Sequence, residues 1–218
     1  MIDFLEIHWA SIIGSAIGIL YLYLEYKANI WMWAASIVMA AFYIYIFYST
    51  QLYASMSIYI YFFLASIYGW IMWFFKRRDK VTGKDIITRT PKRYIPAILI
   101  SIAIIFIIIY AVLNLFSWLG TNQSDNIFTI LSSFQIVTIG DALTTSLNIV
   151  ALWMIARKWA DQWLLLIPAN AISSLLLFIQ NDVVSGIMFA IFFIVSIGGF
   201  RNWKLMTTQQ HNISEEIK

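Results

Sequence analysis

The sequence contains no cysteine and only two histidines, His8 and His211, which lie near opposite ends. Without cysteine the chain can form neither disulfides nor iron–sulfur clusters, and two distant histidines do not favour a metal site. Charged residues are also scarce, at 11% of 218 residues, whereas a soluble domain has about a quarter. Hydrophobic residues make up 61%, which is the composition of a polytopic membrane protein.

The sequence also lacks the Gly-x-x-x-x-Gly-Lys-Ser/Thr loop with which ATP-hydrolysing proteins bind phosphate. No acidic or basic residue falls deep inside an apolar stretch, since Glu25 and Asp141 lie near the ends of theirs. These absences exclude ATP hydrolysis by the chain itself and disfavour an obligatory proton relay. With no paired catalytic groups, the pattern also disfavours an intramembrane enzyme and indicates no cofactor.

Seven mostly apolar stretches are each long enough to cross a bilayer core of about 30 Å as a helix. They lie at about 8–25, 31–48, 54–75, 95–118, 138–156, 162–178 and 184–203. Asp3 and Glu6 stand where a cleavable signal would be basic, so the first stretch is expected to be retained. The pattern predicts an all-α membrane protein with seven transmembrane helices.

Positive charge is concentrated in residues 76–93, which carry eight of the fourteen Lys and Arg residues. Lys27, Arg157 and Lys204 fall on the same side of a seven-span layout, and the opposite loops carry no basic residue. The positive-inside rule therefore predicts a cell-membrane protein with the N-terminus outside and the C-terminus cytoplasmic. The basic loop, 76–93, is interpreted as an orientation signal and not as a nucleic-acid-binding surface. The polar tail, 206–218, is expected to be a frayed cytoplasmic end.

One pattern occurs twice, 130 positions apart, as SIYGWIMW at 66–73 and SIGGFRNW at 196–203. At the same offset Trp33 matches Trp163, and other aromatic residues match as well. The chain is therefore expected to consist of four parts: a first three-helix bundle, a linker with helix 4, a second three-helix bundle and the tail. Their bounds are 1–75, 76–130, 131–205 and 206–218. Both bundles start outside, so they are predicted to be parallel repeats around a central cavity, which suits a transporter.

Five stretches together form a recognisable pattern: QLYAS (51–55), IYGWIMW (67–73), GDALTTSLNIVA (140–151), ARKWADQWLLLIPANAIS (156–173) and the Gly199-aromatic-x-x-Trp203 ending. In these stretches the chain resembles the PnuC family of vitamin transporters. The resemblance implies a three-plus-one-plus-three fold like that of the SWEET sugar transporters, assembled as a homotrimer. It also implies facilitated diffusion of an unphosphorylated vitamin, which a cytoplasmic vitamin kinase then traps.

The vitamin is predicted from departures within the motifs. Nicotinamide riboside carriers of this family typically have Trp-x-x-Trp-x-x-x-Asn on helix 6, where this chain has Trp163, Leu166 and Asn170. They also tend to have Gln at the position of Tyr59 and Asn at that of Ser66. Thiamine, the substrate of the PnuT branch, is therefore put first, nicotinamide riboside second, and riboflavin is left open. An alternative of another class is a substrate-binding subunit that needs an energising partner.

The candidate substrate contacts are mostly aromatic or uncharged, because an aromatic cage suits a cationic vitamin ring without a buried carboxylate. They are Trp33 on helix 2; Tyr59, Phe63, Ser66 and Trp70 on one face of helix 3; Asp141, Thr144 and Asn148 on helix 5; and Trp163, Asn170 and Ser174 on helix 6. Other interpretations stay open: the helix 3 face could serve packing, Asn170 a structural hydrogen bond, and Asp141 a cap after Gly140. Ser36 and Ala40 are interpreted as packing residues, and Pro168 is expected to kink helix 6.

Overall fold

The computed structural model describes residues 13, 16–49, 53–75, 86–120 and 127–216. These ranges are almost entirely α-helical. The helices are 16–26 (α1), Trp31–Ser49 (α2), Tyr53–Phe75 (α3), Ile95–Gly120 (α4), Ile127–Ala156 (α5), Trp163–Ile179 (α6) and Val183–Glu216 (α7). Two 3₁₀ turns, Lys92–Tyr94 and Ala160–Gln162, precede α4 and α6. Within the described ranges, α3 to α7 are long and apolar enough to cross a membrane, so the chain is a multi-pass membrane protein.

The helix bounds agree with the predicted spans to within a few residues, apart from two helices that are longer. Helix α5 begins at Ile127, well before the predicted start at 138, and α7 continues to Glu216. The expectation of a frayed tail is therefore wrong, because residues 205–216 contain neither Gly nor Pro and continue the helix. Most of the basic loop, 76–85, lies outside the described residues, as does the first part of the predicted first span.

The chain divides into two compact units, the first of which contains the N-terminal three helices. The described residues of this unit lie within 1–87, Ile155–Lys158 and 205–216, and its core includes the fully buried Trp33 and Trp73. Trp73 Nε1 donates a 2.8 Å hydrogen bond to the carbonyl oxygen of Ile155. Lys158 Nζ lies 3.4 Å from the Trp73 carbonyl oxygen and 4.9 Å from its ring centroid. The buried Lys158 ammonium therefore lies where a cation is favoured, at the C-terminal end of α3.

The second unit comprises Thr88–Met154 and Trp159–Lys204, and its core joins α4 to α5. Ile98 of α4 packs against Val150 and Met154 of α5 and against Trp159, which precedes α6. The Trp159 ring is edge-on to Trp153, with centroids 5.2 Å apart. These contacts fix the start of α6 against the end of α5, and α6 carries several of the candidate site residues.

Polar contacts in the second unit attach the segment before α4 to the turn before α6. The Ala160 amide donates to the Thr88 carbonyl oxygen at 2.9 Å. Arg89 forms an ion pair with Asp161 at 2.7 Å, and the other carboxylate oxygen of Asp161 accepts the Thr90 amide at 2.7 Å. The Asp161 side chain is only 13% exposed, so this carboxylate holds the segment through three donors.

Three of the described helices end in the same backbone turn, a Schellman motif with a left-handed residue just past the helix. The left-handed residues are Ala28 (φ 50°), Lys158 (φ 59°) and Asn181 (φ 61°). After α1 the Ala28 amide donates to the Glu25 carbonyl oxygen, and the next amide reaches back one further residue. The turns after α5 and α6 contain the same two hydrogen bonds. At each of these helix ends, two or three of the last carbonyl oxygens therefore accept a backbone amide within a few residues.

Candidate substrate site

The repeated motif of the first unit forms a close contact between α2 and α3. The Trp33 side chain is fully buried and lies over Gly69, where a Cβ atom would overlap the indole ring. Its ring is edge-on to Trp73, with centroids 6.2 Å apart and an interplanar angle of 74°. Residue 69 must therefore be glycine because the Trp33 indole packs directly on its backbone, and Trp73 packs against the same indole.

The second unit builds the same contact between α6 and α7. Trp163 is fully buried over Gly199, where a Cβ would lie 2.6 Å from ring carbon Cζ2. Its ring is edge-on to Trp203, at 5.9 Å and 83°. The repeated sequence pattern is therefore a packing motif in both units. The predicted stacking of substrate on Trp163 requires this ring to become accessible, because no part of it is exposed here.

Each motif also contains a buried serine whose hydroxyl donates to the carbonyl oxygen four residues earlier. Ser66 donates to Phe62 O, and Ser196 donates to Phe192 O, each at 2.7 Å. This back-bonding satisfies the hydroxyl proton within its own helix. The serine oxygen is then left to accept a hydrogen bond from the neighbouring helix, and the two units differ in what they supply there.

The partner of the repeated serine is Ser36 in the first unit and Asn170 in the second. Ser36 Oγ lies 2.6 Å from Ser66 Oγ, so Ser36 is a hydrogen-bonding residue as well as the predicted packing residue. Asn170 Nδ2 donates to Ser196 Oγ at 2.9 Å. The Asn170 side chain is 8% exposed, and its Oδ1 accepts no hydrogen bond from the described residues. The Asn170 amide therefore joins α6 to α7 through Nδ2 and still has Oδ1 as an acceptor.

The predicted face of α3 packs partly against α2. The Tyr59 ring lies 4.7 Å from that of Tyr43, and Trp70 is edge-on to Trp31 at 5.8 Å. Ser66 is fully buried, while Phe63 is half-buried. Packing between helices is thus an observed use of this face, and substrate contact by these four side chains stays a prediction.

The candidates on α5 lie in the middle of a long helix. Asp141 is exposed, the Thr144 hydroxyl donates to the Asp141 carbonyl oxygen at 3.1 Å, and Asn148 is half-buried. Asp141 therefore does not lie near a helix end as expected, and the alternative that it caps a helix after Gly140 is wrong, because α5 already begins at Ile127. Gly140 instead allows close packing, since a Cβ there would lie 2.7 Å from Leu176 Cδ1.

Ser174, the last candidate on α6, ties that helix to α7. Its hydroxyl donates to the Gly186 carbonyl oxygen at 2.8 Å. Pro168 lies inside α6, and the helix continues on both sides of it. The structure thus places Trp163, Asn170 and Ser174 on α6, each in contact with α7, and Asp141, Thr144 and Asn148 on α5.

Sequence reasoning missed the role of Ser196 and the burial of Lys158. Ser196 was visible as the first letter of the second motif, but a serine in an apolar helix gives no sign of which side chain it contacts. Lys158 directly follows Arg157, one of the orientation charges, yet it is fully buried beside Trp73. That contact is between residues 85 positions apart, so no local pattern could have shown it.

Comparison with known proteins defines the family. A family model described as "Nicotinamide mononucleotide transporter" matches residues 8–205, which is nearly the whole chain. This protein belongs to that family. Its members are transporters and not enzymes, and the prediction of a PnuC-type membrane transporter is confirmed.

Two curated members of the family are similar to this chain over most of their length. They are the proteins named "Nicotinamide riboside transporter PnuC" of Escherichia coli (strain K12) and of Shigella flexneri. Each is 24% identical over 207 residues, which cover 91% of this chain and 86% of the relative. The match thus includes both units.

A solved structure described as "Crystal structure of the Vitamin B3 transporter PnuC" has the same fold. It superposes with a TM-score of 0.66 and 17% sequence identity, over 93% of this chain and 83% of that one. At this identity the likeness concerns the fold, which is thereby that of a PnuC transporter.

Proposed function

We propose that this protein carries nicotinamide riboside across the cell membrane by facilitated diffusion. The observation that carries the proposal is the family match over residues 8–205, together with two relatives named as nicotinamide riboside transporters. The sequence analysis put thiamine first. The comparisons favour its alternative, nicotinamide riboside, and the ranking is corrected accordingly.

The absence of charged residues from four of the helices supports an unphosphorylated substrate. Helices α2, α3, α4 and α6 contain no Asp, Glu, Lys or Arg. A nucleotide phosphate carries close to two negative charges and needs cationic partners when it leaves water. A riboside, by contrast, presents hydroxyls, a carboxamide and one delocalised ring cation, which aromatic and amide side chains can accommodate.

The architecture proposed for transport is three plus one plus three helices in parallel repeats, as in SWEET transporters. It is supported by the equal local geometry of the Trp33 and Trp163 contacts, each measured within its own unit. The basic loop supports an orientation with the N-terminus outside and the C-terminus in the cytoplasm. An impermeant thiol reagent applied to intact cells should then label Cys introduced at Asn122 before Cys introduced at Lys80.

Thiamine is the second candidate, because two positions depart from the nicotinamide riboside pattern. Leu166 stands where a second tryptophan is typical, and Tyr59 stands where an amide is typical. The Tyr59 ring lies 4.7 Å from that of Tyr43, which forms an aromatic pair in place of a carboxamide-binding group. Calorimetry of the purified protein with nicotinamide riboside, thiamine and riboflavin decides between the candidates by their relative affinities.

Transport by the protein alone is the test of the proposed function. Purified protein in liposomes should admit labelled nicotinamide riboside until the inside and outside concentrations are equal, with no energy source. A cytoplasmic vitamin kinase enclosed in the liposomes should convert this equilibration into accumulation. Uptake against a gradient driven by protons or sodium would contradict uniport, and the absence of any uptake would favour a subunit that needs an energising partner. Chemical crosslinking of the same sample would test the proposed homotrimer.

A further inference from the structure

Among the described residues, the amide of Asn170 is held by one hydroxyl, that of Ser196 on the adjacent helix. Its Nδ2 donates to Ser196 Oγ at 2.9 Å, and both residues are buried. An amide has a donor end and an acceptor end of nearly the same shape. Whichever end faces Ser196 determines the end that remains for a ligand.

The chain of hydrogen bonds determines this orientation. Phe192 O is a carbonyl oxygen and can only accept, so the 2.7 Å bond to it uses the one proton of the Ser196 hydroxyl. Ser196 Oγ can then serve Asn170 only as an acceptor. The end of the amide that meets Ser196 is therefore Nδ2, and the end left over is Oδ1, which accepts no bond from the described residues.

The first unit contains the same serine with the same direction of hydrogen bonding. Ser66 donates to Phe62 O at 2.7 Å, and the nearby Ser36 hydroxyl must then donate to Ser66. The repeated serine is thus an acceptor toward its neighbouring helix in both units. Only the second unit places an amide against it, because the position equivalent to Asn170 is Ala40.

We propose that Ser196 is a positioning residue that orients Asn170 so that Oδ1 faces the substrate, and that the site thereby selects a ligand with an N–H donor. This inference rests on the proposed function and names what one contact of that site requires. A ligand hydroxyl can rotate to suit either end of an amide, so orientation matters only toward a group of fixed polarity. The carboxamide N–H₂ of a nicotinamide and the amino group of an aminopyrimidine are such groups.

The test compares ligands that differ only at this exocyclic group. Nicotinamide riboside is paired with nicotinic acid riboside, and thiamine with oxythiamine, in which an oxo group replaces the amino group without adding charge. Calorimetry on the wild-type protein should show at least about tenfold tighter binding of the donor member of whichever pair binds, because the other member leaves Oδ1 opposite an acceptor. Binding of neither pair would refute the proposed function, whereas equal binding of both members would refute only the inference.

The variant Ser196→Ala frees the amide to turn and should reduce the preference within a pair to about threefold or less, since either end can then face the ligand. Ser196→Thr keeps the hydroxyl and should keep the preference. Ser146→Ala is the matched control, because Ser146 is also fully buried and donates to a carbonyl of its own helix, Leu143 O, at 2.7 Å. If Ser196→Ala weakens both members of a pair equally, Ser196 is only structural and the inference is wrong. If that variant does not fold, the wild-type preference and that of Ser196→Thr decide.

Discussion

The Trp163 ring lies over Gly199, and a Cβ atom at that glycine would be 2.6 Å from ring carbon Cζ2. Real side chains do not approach so closely, so Gly199→Ala must displace either the indole or α7. We expect a loss of about 1–3 kcal/mol of stability, as is typical of overpacking. Thermal unfolding in detergent should show a clearly lower midpoint. Ile194→Ala, at a side chain that is 66% exposed, is the control and should change the midpoint little.

Comparing variants of the two equivalent tryptophans, Trp33 and Trp163, distinguishes a role in packing from a role in substrate binding. Trp163→Ala and Trp33→Ala each remove a fully buried indole, and each should cost about 3–5 kcal/mol of stability. If the substrate stacks on Trp163, that variant alone should also lose about 1–3 kcal/mol of binding, as measured by calorimetry on folded protein. Equal affinity in the two variants would place the stacking surface elsewhere.

The sequence was sufficient for the helices but not for their contacts. Apolar runs predicted the spans because a helix satisfies its own backbone hydrogen bonds and needs apolar side chains toward lipid. The repeat identified Trp163 and Gly199 as recurring residues but did not predict that they are in contact. The early start of α5 was missed, since Gly140 and Asp141 read as a helix boundary and proved to be interior. A structural hydrogen bond of Asn170 was one of the open interpretations, but its partner, Ser196, was not predicted, because that contact depends on how α6 and α7 are rotated toward each other. That rotation follows from packing, which a single sequence does not show.

Replacing the left-handed residues after α1 and α5 by glycine should change the stability of the protein in opposite directions. Ala28 has φ 50°, a conformation that disfavours side chains, so Ala28→Gly should stabilise the protein by about 0.5–1 kcal/mol. Lys158 has φ 59°, but its side chain is buried against Trp73, so Lys158→Gly should lower the unfolding midpoint. Thermal unfolding of both variants in one detergent measures the two signs. A rise in both midpoints would mean that the Lys158 contacts contribute nothing.

The ion pair of Arg89 with Asp161 offers a double-mutant cycle. Arg89 is 57% exposed, so its interaction with Asp161 should be weak, about 1 kcal/mol or less. Asp161→Ala should lower the unfolding midpoint more than Arg89→Ala does, because Asp161 also accepts a hydrogen bond from the Thr90 amide. Unfolding midpoints of the two single variants and the double variant give the coupling. A larger effect of Arg89→Ala would show that the backbone contact is unimportant.

Asp182 should make the start of α7 sensitive to acid. Hydrogen bonds from the Ser185 side chain and from its amide, the latter at 3.1 Å, lower the pKa of Asp182 from its ordinary value of 3.8. These hydrogen bonds to the Asp182 carboxylate cap the start of α7. Because the pKa is lowered on folding, the cap is fully present above the unfolded-state pKa and is lost as the pH falls through the folded-state pKa. Amide hydrogen exchange at Ser185, corrected for intrinsic rates, should therefore accelerate in acid. Asp182→Asn should keep a cap and remove this pH dependence.

The turn between α6 and α7 is short and is reinforced by a side-chain hydrogen bond. Only residues 180–182 separate them, and the Ser174 hydroxyl joins α6 to the Gly186 carbonyl beyond the turn. A pair of helices joined in this way is expected to move as one piece, which would keep Asn170 beside Ser196 whichever side of the membrane has access. The chemical requirement on the vitamin would then be the same for influx and for efflux. The carrier itself would give no direction to the flow, and the net direction would depend on the reaction that consumes the vitamin inside the cell.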